Sequence, residues 1–156
     1  MANGITLGGV EVQGSVASNG LYFTFIRGGL QSLATFRGED DIVPQASGRD
    51  PGAWIADTRE LVLHGFVQGN GATAQLQRES FRTRTATLMA VMDPATLITI
   101  VAYPPNFGLT TGTTATLTNC RPQRIVAPEP SDLWYEGWEV TLELVSIKSP
   151  PNWAVA

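Results

Sequence analysis

The sequence predicts a mainly β protein, an antiparallel β-sandwich with one packed α-helix. Three observations lead to this fold class. Turn signals recur at short intervals, among them Asn19-Gly20, Gly69-Asn70-Gly71 and Thr111-Gly112. The runs between the turns are rich in Val, Ile, Thr, Leu and aromatic residues, as in antiparallel sheets. One segment, from Arg78 to Met92, has a helical period instead.

Three runs give the clearest strands, in chain order. Residues 21–26 follow the Asn19-Gly20 turn and combine aromatic and β-branched residues. Residues 61–67 are apolar on both faces except at His64, which predicts a central strand covered on both sides. Residues 139–144 alternate strictly between polar and apolar side chains, so one face of that strand is predicted to be exposed to solvent or to face another subunit.

The predicted helix lies between the second and third of these strands. Its apolar stripe consists of Phe81, Leu88 and Met92, which recur at helical spacing. Ser80 can cap its start, and Pro94 ends it because the residue before a proline disfavours the α conformation. A single amphipathic helix must lay its stripe on an apolar surface, and the sheet is the candidate.

Composition limits the possible functions. The 156 residues are predicted to form one domain, 1–156, in which charged residues make up only 15% against an average of about 25%. A weakly charged surface suits a protein that buries part of its surface in contacts between the subunits of an assembly. The net charge of −4 argues against nucleic-acid binding. The single cysteine, Cys120, excludes an internal disulfide and a multi-cysteine zinc site.

Targeting signals are not visible in the sequence. The first residues have neither a basic start nor an apolar stretch of signal-peptide length. The longest apolar run, residues 97–103, is far too short to span a bilayer. We therefore expect a protein that is made in a cytoplasm and stays soluble or joins a particle there, without a membrane partner.

Residues 38–56 are predicted to form an extended arm. They contain two prolines and three glycines but few apolar side chains, and no catalytic cluster accompanies them. Such a segment is more plausibly a contact between subunits than a site of chemistry. A C-terminal tail at about 149–156 carries Trp153, which is expected to anchor the tail in a neighbouring copy. The candidate subunit-interface residues are Arg37, Asp41, Ile42, Val43, Arg49, Trp54 and Trp153.

A catalytic or metal site is not predicted, and neither is a cofactor. His64, the only histidine, lacks an orienting carboxylate and a nucleophile at a required spacing, so a structural or interfacial role is expected. The acidic run from Glu39 to Asp41 has three interpretations: a solvated loop, a Ca²⁺ site, or a partner for Arg37, Arg49 or Arg59 of a neighbouring copy. The solvated loop is preferred over the Ca²⁺ site.

The aromatic cluster formed by Trp134, Tyr135 and Trp138 also has two interpretations. It could form a sugar-binding platform on the surface of a sandwich. Strand alternation, however, places Trp134 and Trp138 on the same face as the apolar residues that follow them. A role in the core or in a subunit contact is therefore preferred.

Several of these features together resemble a known family. The charged turn at Arg37-Gly38, the Ile42-Val43-Pro44 and Gly48-Arg49 pairs, Asp57-Thr58-Arg59 and the strand after it resemble the core domain of distal tail proteins of long-tailed bacteriophages. Residues 134–144, with Pro150-Pro151-Asn152-Trp153 after them, look like the closing strand and tail of minor tail proteins.

The resemblance implies a tail-tube-like β-sandwich with a flanking helix, six copies of which close into a ring. It implies a structural virion protein, not an enzyme, that is assembled in the host cytoplasm. The ring would join the tail tube to the tip or hub and would leave a channel through which DNA passes without specific binding. The chain has no room for the second domain of larger distal tail proteins, so receptor binding is not expected of it. The alternatives are a tail tube protein and a carbohydrate-binding β-sandwich module.

Overall fold

The computed structural model describes residues 4–13, 20–29, 35–37, 41–42, 49–50, 55–104, 106–131, 135–147 and 152–156. Within these residues the protein is mainly β, with one α-helix and a short 3-10 turn. The helix, α1, spans Ala74–Val91. The strands are β1 Ile5–Leu7, β2 Val10–Gln13, β3 Leu21–Arg27, β4 Thr35–Arg37, β5 Asp41–Ile42, β6 Arg49–Asp50, β7 Ile55–Val67, β8 Ile98–Ala102, β9 Ala115–Val126, β10 Trp138–Ser146 and β11 Ala154–Val155.

Seven of the strands close into an antiparallel β-barrel, in the order β10-β7-β3-β2-β1-β8-β9 and back to β10. The predicted mainly β fold with one helix is confirmed, and the strands form a barrel, not clearly the predicted sandwich. The reason is strand β9, which pairs with β8 through residues 115–120 and with β10 through residues 120–126. One long strand thereby joins what would otherwise be two sheets.

Strand β9 can do this because it bends. In an antiparallel ring the strand direction reverses from each strand to the next. An odd number of straight strands cannot keep this alternation all the way around, so at least one strand must bend and pair with its two neighbours through different segments. Asn119 lies where β9 changes partner, and its φ of 55° is a left-handed conformation that asparagine tolerates better than most residues. Bends of this kind form the corners at which strands pass from one sheet to another. Among the described residues the pairing is least extensive between β2 and β3, where Gln13 is opposite Tyr22.

The core lies inside the barrel. Strand β10 shows the predicted alternation, because its apolar positions Val140, Leu142 and Leu144 are buried. Strand β7 is central as predicted, since it pairs with β3 on one side and β10 on the other. The expectation that β7 is covered on both faces is wrong for the described structure, because His64 and Phe66 are exposed on its outer face.

Helix α1 begins at Ala74, four residues before the segment from Arg78 to Met92 that has the predicted helical period. Thr73 is its N-cap, and the Thr73 hydroxyl accepts a hydrogen bond from the backbone N–H of Leu76 at 3.3 Å. Ser80, the predicted cap, lies inside the helix, where its hydroxyl accepts from the backbone N–H of Asn70 at 3.2 Å. Ser80 thus fixes the loop before the helix instead of the helix start.

The predicted apolar stripe of α1 is confirmed. Phe81, Leu88 and Met92 are buried in the core, with Thr85 buried between them. The Phe81 ring meets the edge of Trp138 at 6.3 Å between centroids, so the helix packs on the end of the barrel where β10 begins. Within the described part of the chain, no helix is long and apolar enough to cross a membrane.

Candidate functional site

Residues 35–58 contain most of the predicted interface residues, and their described part forms two short antiparallel ladders. Strand β4 pairs with the start of β7, with Arg37 opposite Ile55. Four residues beyond Arg37, Asp41 is opposite Asp50, which precedes Ile55 by five residues. Along the chain the β5–β6 ladder therefore lies between β4 and β7, and residues 38–40 and 51–54, which connect the two ladders, lie outside the described residues. We call residues 35–58 the arm hairpin.

The arm hairpin extends past the strands that flank β7 in the barrel. The pairing of β10 with β7 begins at Arg59, and that of β3 begins at Val62. Among the described residues, positions 55–58 of β7 therefore pair with β4 alone, and β5 and β6 pair only with each other. An isolated two-stranded hairpin is marginally stable in water, and its unpaired edges can accept another chain. This geometry suits an element that binds a neighbour.

The structure describes four of the seven predicted interface residues in this segment and brings three of them, Asp41, Ile42 and Arg49, into one ladder. Arg37 ends β4, Asp41 and Ile42 form β5, and Arg49 begins β6 opposite Ile42. Val43 and Trp54 lie outside the described residues, as do Glu39 and Asp40 of the acidic run. The sequence did not reveal that β5 and β6 pair, because two-residue strands carry no periodicity.

Trp153, the seventh predicted interface residue, packs on its own chain. Its ring meets those of Phe25 and Phe107 at 5.6 and 5.4 Å between centroids, and its indole N–H donates to the Gly28 carbonyl at 3.0 Å. Strand β11, immediately after Trp153, then pairs with β9. The described part of the tail thus lies against its own barrel, and an additional contact of Trp153 with a neighbouring copy stays a prediction.

Arg59, at the base of the arm hairpin, is buried and hydrogen-bonded within its own chain. It is only 5% exposed, and its guanidinium donates to the Gly29 carbonyl at 3.2 Å. Burial lowers the pKa of this side chain by disfavouring its charged form. Within its own chain the residue therefore holds the backbone at the end of β3. Its pairing with a carboxylate of a neighbouring copy stays a prediction.

The outer face of the β3-β7-β10 sheet carries His64. Its Nδ1 lies 3.0 Å from the Thr141 hydroxyl on the adjacent strand. Nearby, the rings of Tyr22 and Phe66 stack at 4.6 Å between centroids. These contacts are cross-strand pairs of the kind that stabilise sheets, as expected for a structural histidine.

Groups suited to catalysis do not converge in the described residues. No three or more His, Cys, Asp and Glu side chains there are grouped so that they could hold a metal ion. Cys120 is fully buried, and burial raises the pKa of its thiol to about 12. At neutral pH the thiol is therefore protonated and a poor nucleophile.

The two described members of the aromatic cluster, Tyr135 and Trp138, do not form an open sugar platform. Trp138 is only 2% exposed, and its indole N–H donates to the Pro128 carbonyl at 2.9 Å. Tyr135 lies beneath the guanidinium of Arg78, which is 5.5 Å from the ring centroid. The predicted core role is confirmed for Trp138, whereas Trp134 lies outside the described residues.

Comparison with known proteins gives one informative result. No protein-family model matches the sequence, and no curated protein matches it. A solved structure of similar fold is that of the SPP1 Dit (gp 19.1) protein, described as a paradigm of the hub adsorption apparatus in phages that infect Gram-positive bacteria. The match has a TM-score of 0.54 and 16% sequence identity, and it covers 94% of this chain and 50% of the Dit chain. The chain therefore has a Dit-like fold, as the sequence resemblance implied, and spans about half the length of that protein.

Proposed function

We propose that the chain is a structural protein of a bacteriophage tail. In this proposal it forms a hexameric ring at the distal end of the tail, joins the tail tube to the tip or hub, and leaves a channel for DNA. It has no catalytic role and needs no cofactor. The Dit-like fold supports the assignment to a phage tail, and the arm hairpin supports assembly into a ring.

The arm hairpin is the observation that carries the proposal. Its described strands pair with each other beyond the last β10 and β3 partners of β7. Contact with a neighbouring copy would stabilise it and would cover its edges. Ile42, Val43 and Trp54 would supply apolar contacts, and Arg49 would supply a polar one.

Such a contact is heterologous, because the arm of one copy meets a different surface of the next. Heterologous contacts produce closed rings when the rotation between copies closes, and open filaments when it does not. A ring is therefore the expected product for a distal tail protein. A tail tube protein would add further rings on top of the first without limit.

The test is the mass and shape of the purified chain. Native mass spectrometry should give a species of six copies of the 16.7 kDa chain, about 100 kDa, and negative-stain microscopy should show rings with a central channel. Open-ended stacks of rings would favour the tail tube alternative. A chain that stays monomeric at every soluble concentration would contradict the proposal, and glycan binding by that monomer would favour a carbohydrate-binding module.

A further inference from the structure

A cleft opens on the outer face of the β7–β10 sheet, at the end of the barrel where β10 begins. Its volume is about 710 Å³, which falls in the range of roughly 300–1,000 Å³ that is usual for ligand sites. Three parts of the chain line it: His64 on β7, residues 126–128 at the end of β9, and residues 137–141 at the start of β10. We call it the β10 cleft.

Two hydrogen bonds hold the walls of the β10 cleft in place. The Trp138 indole N–H donates to the Pro128 carbonyl at 2.9 Å, which ties the start of β10 to the segment after β9. The Nδ1 of His64 lies 3.0 Å from the Thr141 hydroxyl, which links β7 to β10. A site whose walls are already fixed loses little binding free energy to their ordering.

Apolar side chains are exposed in the cleft and beside it. Val126 lines the cleft and is 46% exposed. Phe66 is 37% exposed and lies directly opposite the lining residue Glu139. The Phe66 ring stacks on that of Tyr22, so the apolar surface continues across the sheet to β3. An apolar surface that extends beyond the mouth of a cleft is typical of a contact with another protein.

The rim of the β10 cleft is acidic. Glu139 lines the cleft, and Glu129 and Glu136 are next in the chain to lining residues; all three are exposed. Within the described part of the chain, none of these three carboxylates has a hydrogen-bond or ion-pair partner. The other carboxylates whose side chains are described each have one: Glu11, Glu60, Glu79, Asp93 and Glu143. The negative charge that lacks a counterpart is therefore concentrated at this cleft.

The arginines do not balance this charge. The arginine side chains that the structure describes each contact a group of their own chain: Arg27, Arg59, Arg78, Arg82, Arg84, Arg121 and Arg124. Arg124, on the strand that ends at the cleft, is paired with Glu143. Arg78 lies over the ring of Tyr135, the residue before Glu136. A basic group from a different molecule would complement the rim.

We propose that the β10 cleft is a docking site for a segment of another protein in which an apolar side chain lies beside a Lys or Arg. The apolar side chain would contact Val126 in the cleft, and the cation would face the carboxylates of Glu136 and Glu139. Charge complementarity of this kind selects the partner and its orientation more than it adds affinity. The inference goes beyond the proposed ring, because it does not depend on how many copies assemble.

The test uses the full chain and two short labelled peptides, one of alternating leucine and arginine and one of alternating leucine and glutamate. Fluorescence anisotropy at about 50 mM salt should give a Kd of about 1 mM or lower for the arginine peptide. The glutamate peptide should bind at least about tenfold more weakly. Binding of the arginine peptide should weaken as salt rises to about 300 mM, because exposed charges are screened.

Substitutions locate the binding. Glu136→Gln with Glu139→Gln should raise the Kd of the arginine peptide about tenfold or more. Val126→Ser should raise it about threefold, because apolar contact is lost. Glu60→Gln with Glu79→Gln is the matched control: it makes the same change in net charge at exposed positions outside the cleft and should leave the Kd within about twofold. Melting temperatures should show that every variant folds.

Three outcomes would overturn the inference. The first is that the two peptides bind equally, or that the arginine peptide does not bind at up to about 10 mM. The second is an equal loss of binding in the rim pair and in the control pair. The third is a rim pair that abolishes the rings seen by native mass spectrometry, which would make a second copy of the chain the occupant. We expect ring assembly to be unchanged by the rim pair. The first two outcomes leave the ring proposal standing, whereas a wild-type chain that never assembles overturns the ring proposal alone.

Discussion

Truncating Leu88 should destabilise the subunit by about 3 kcal/mol. This side chain is 0% exposed and lies on the helix stripe that packs into the core. Leu→Ala at buried sites costs roughly 2–5 kcal/mol, the sum of lost hydrophobic transfer and the cavity left behind. For a chain of this size, about 3 kcal/mol corresponds to a fall of roughly 6–12 °C in melting temperature.

The neighbouring residue provides a matched control for this measurement. Met89 is on the same helix but 43% exposed, so Met89→Ala should change the free energy of unfolding by about 0.5 kcal/mol or less. Both variants are compared with the wild type by urea denaturation, followed through tryptophan fluorescence. Equal stabilities of Leu88→Ala and Met89→Ala, to within about 0.5 kcal/mol, would refute the packing of the helix. Leu88→Asp should lower the free energy of unfolding still further, because burying an unpaired charge costs a large part of the roughly 5–15 kcal/mol that stabilises a domain.

Three further predictions concern chemistry and charge. Burial raises the pKa of the Cys120 thiol from 9.0 to about 12, so the thiol should resist a thiol reagent at pH 8 until the protein is unfolded. Its contribution to stability should be lost as the pH rises from 9.0 towards 12. Rapid labelling of the folded protein would contradict this prediction. The hydrogen bond and charge of Arg124 lower the pKa of Glu143, so their pair should stabilise the fold above the ordinary carboxyl pKa and lose that effect as the pH falls through the lowered value. If the pKa of Glu143 measured by NMR titration is the same in the wild type and in Arg124→Gln, this prediction is contradicted. With a net charge of −4, the chain should not bind duplex DNA at physiological salt in a mobility-shift assay, and tight binding would exclude a channel through which DNA slides freely.

The helix shows what could be predicted from the sequence. Its stripe was visible because Phe81, Leu88 and Met92 must all be apolar to enter the core. Its start was misplaced because the first turn, from Ala74, is mostly exposed and carries no apolar period. Thr73 and Ser80 are both good capping residues, so the choice between them depends on the fold around them.

The closed barrel could not be predicted from local patterns. Its closure depends on the bend at Asn119 and on pairings between residues that are far apart in the chain, which leave no period in the sequence. The same holds for Trp153, whose hydrogen bond to Gly28 spans 125 positions. Composition alone suggested an interface element at residues 38–56, but the hairpin pairing depends on register, which the sequence did not reveal.

The most direct test of the account separates the fold of the subunit from its assembly. Residues 40–53 are replaced by a short Gly/Ser link, and melting temperature and mass in solution are measured on the same sample. Loop-closure entropy changes slowly with length, so the barrel should keep a cooperative transition close to that of the wild type. We expect a folded monomer that no longer forms rings. A deletion variant that assembles like the wild type would contradict the central claim, because the arm hairpin would then be a surface loop without a role in assembly.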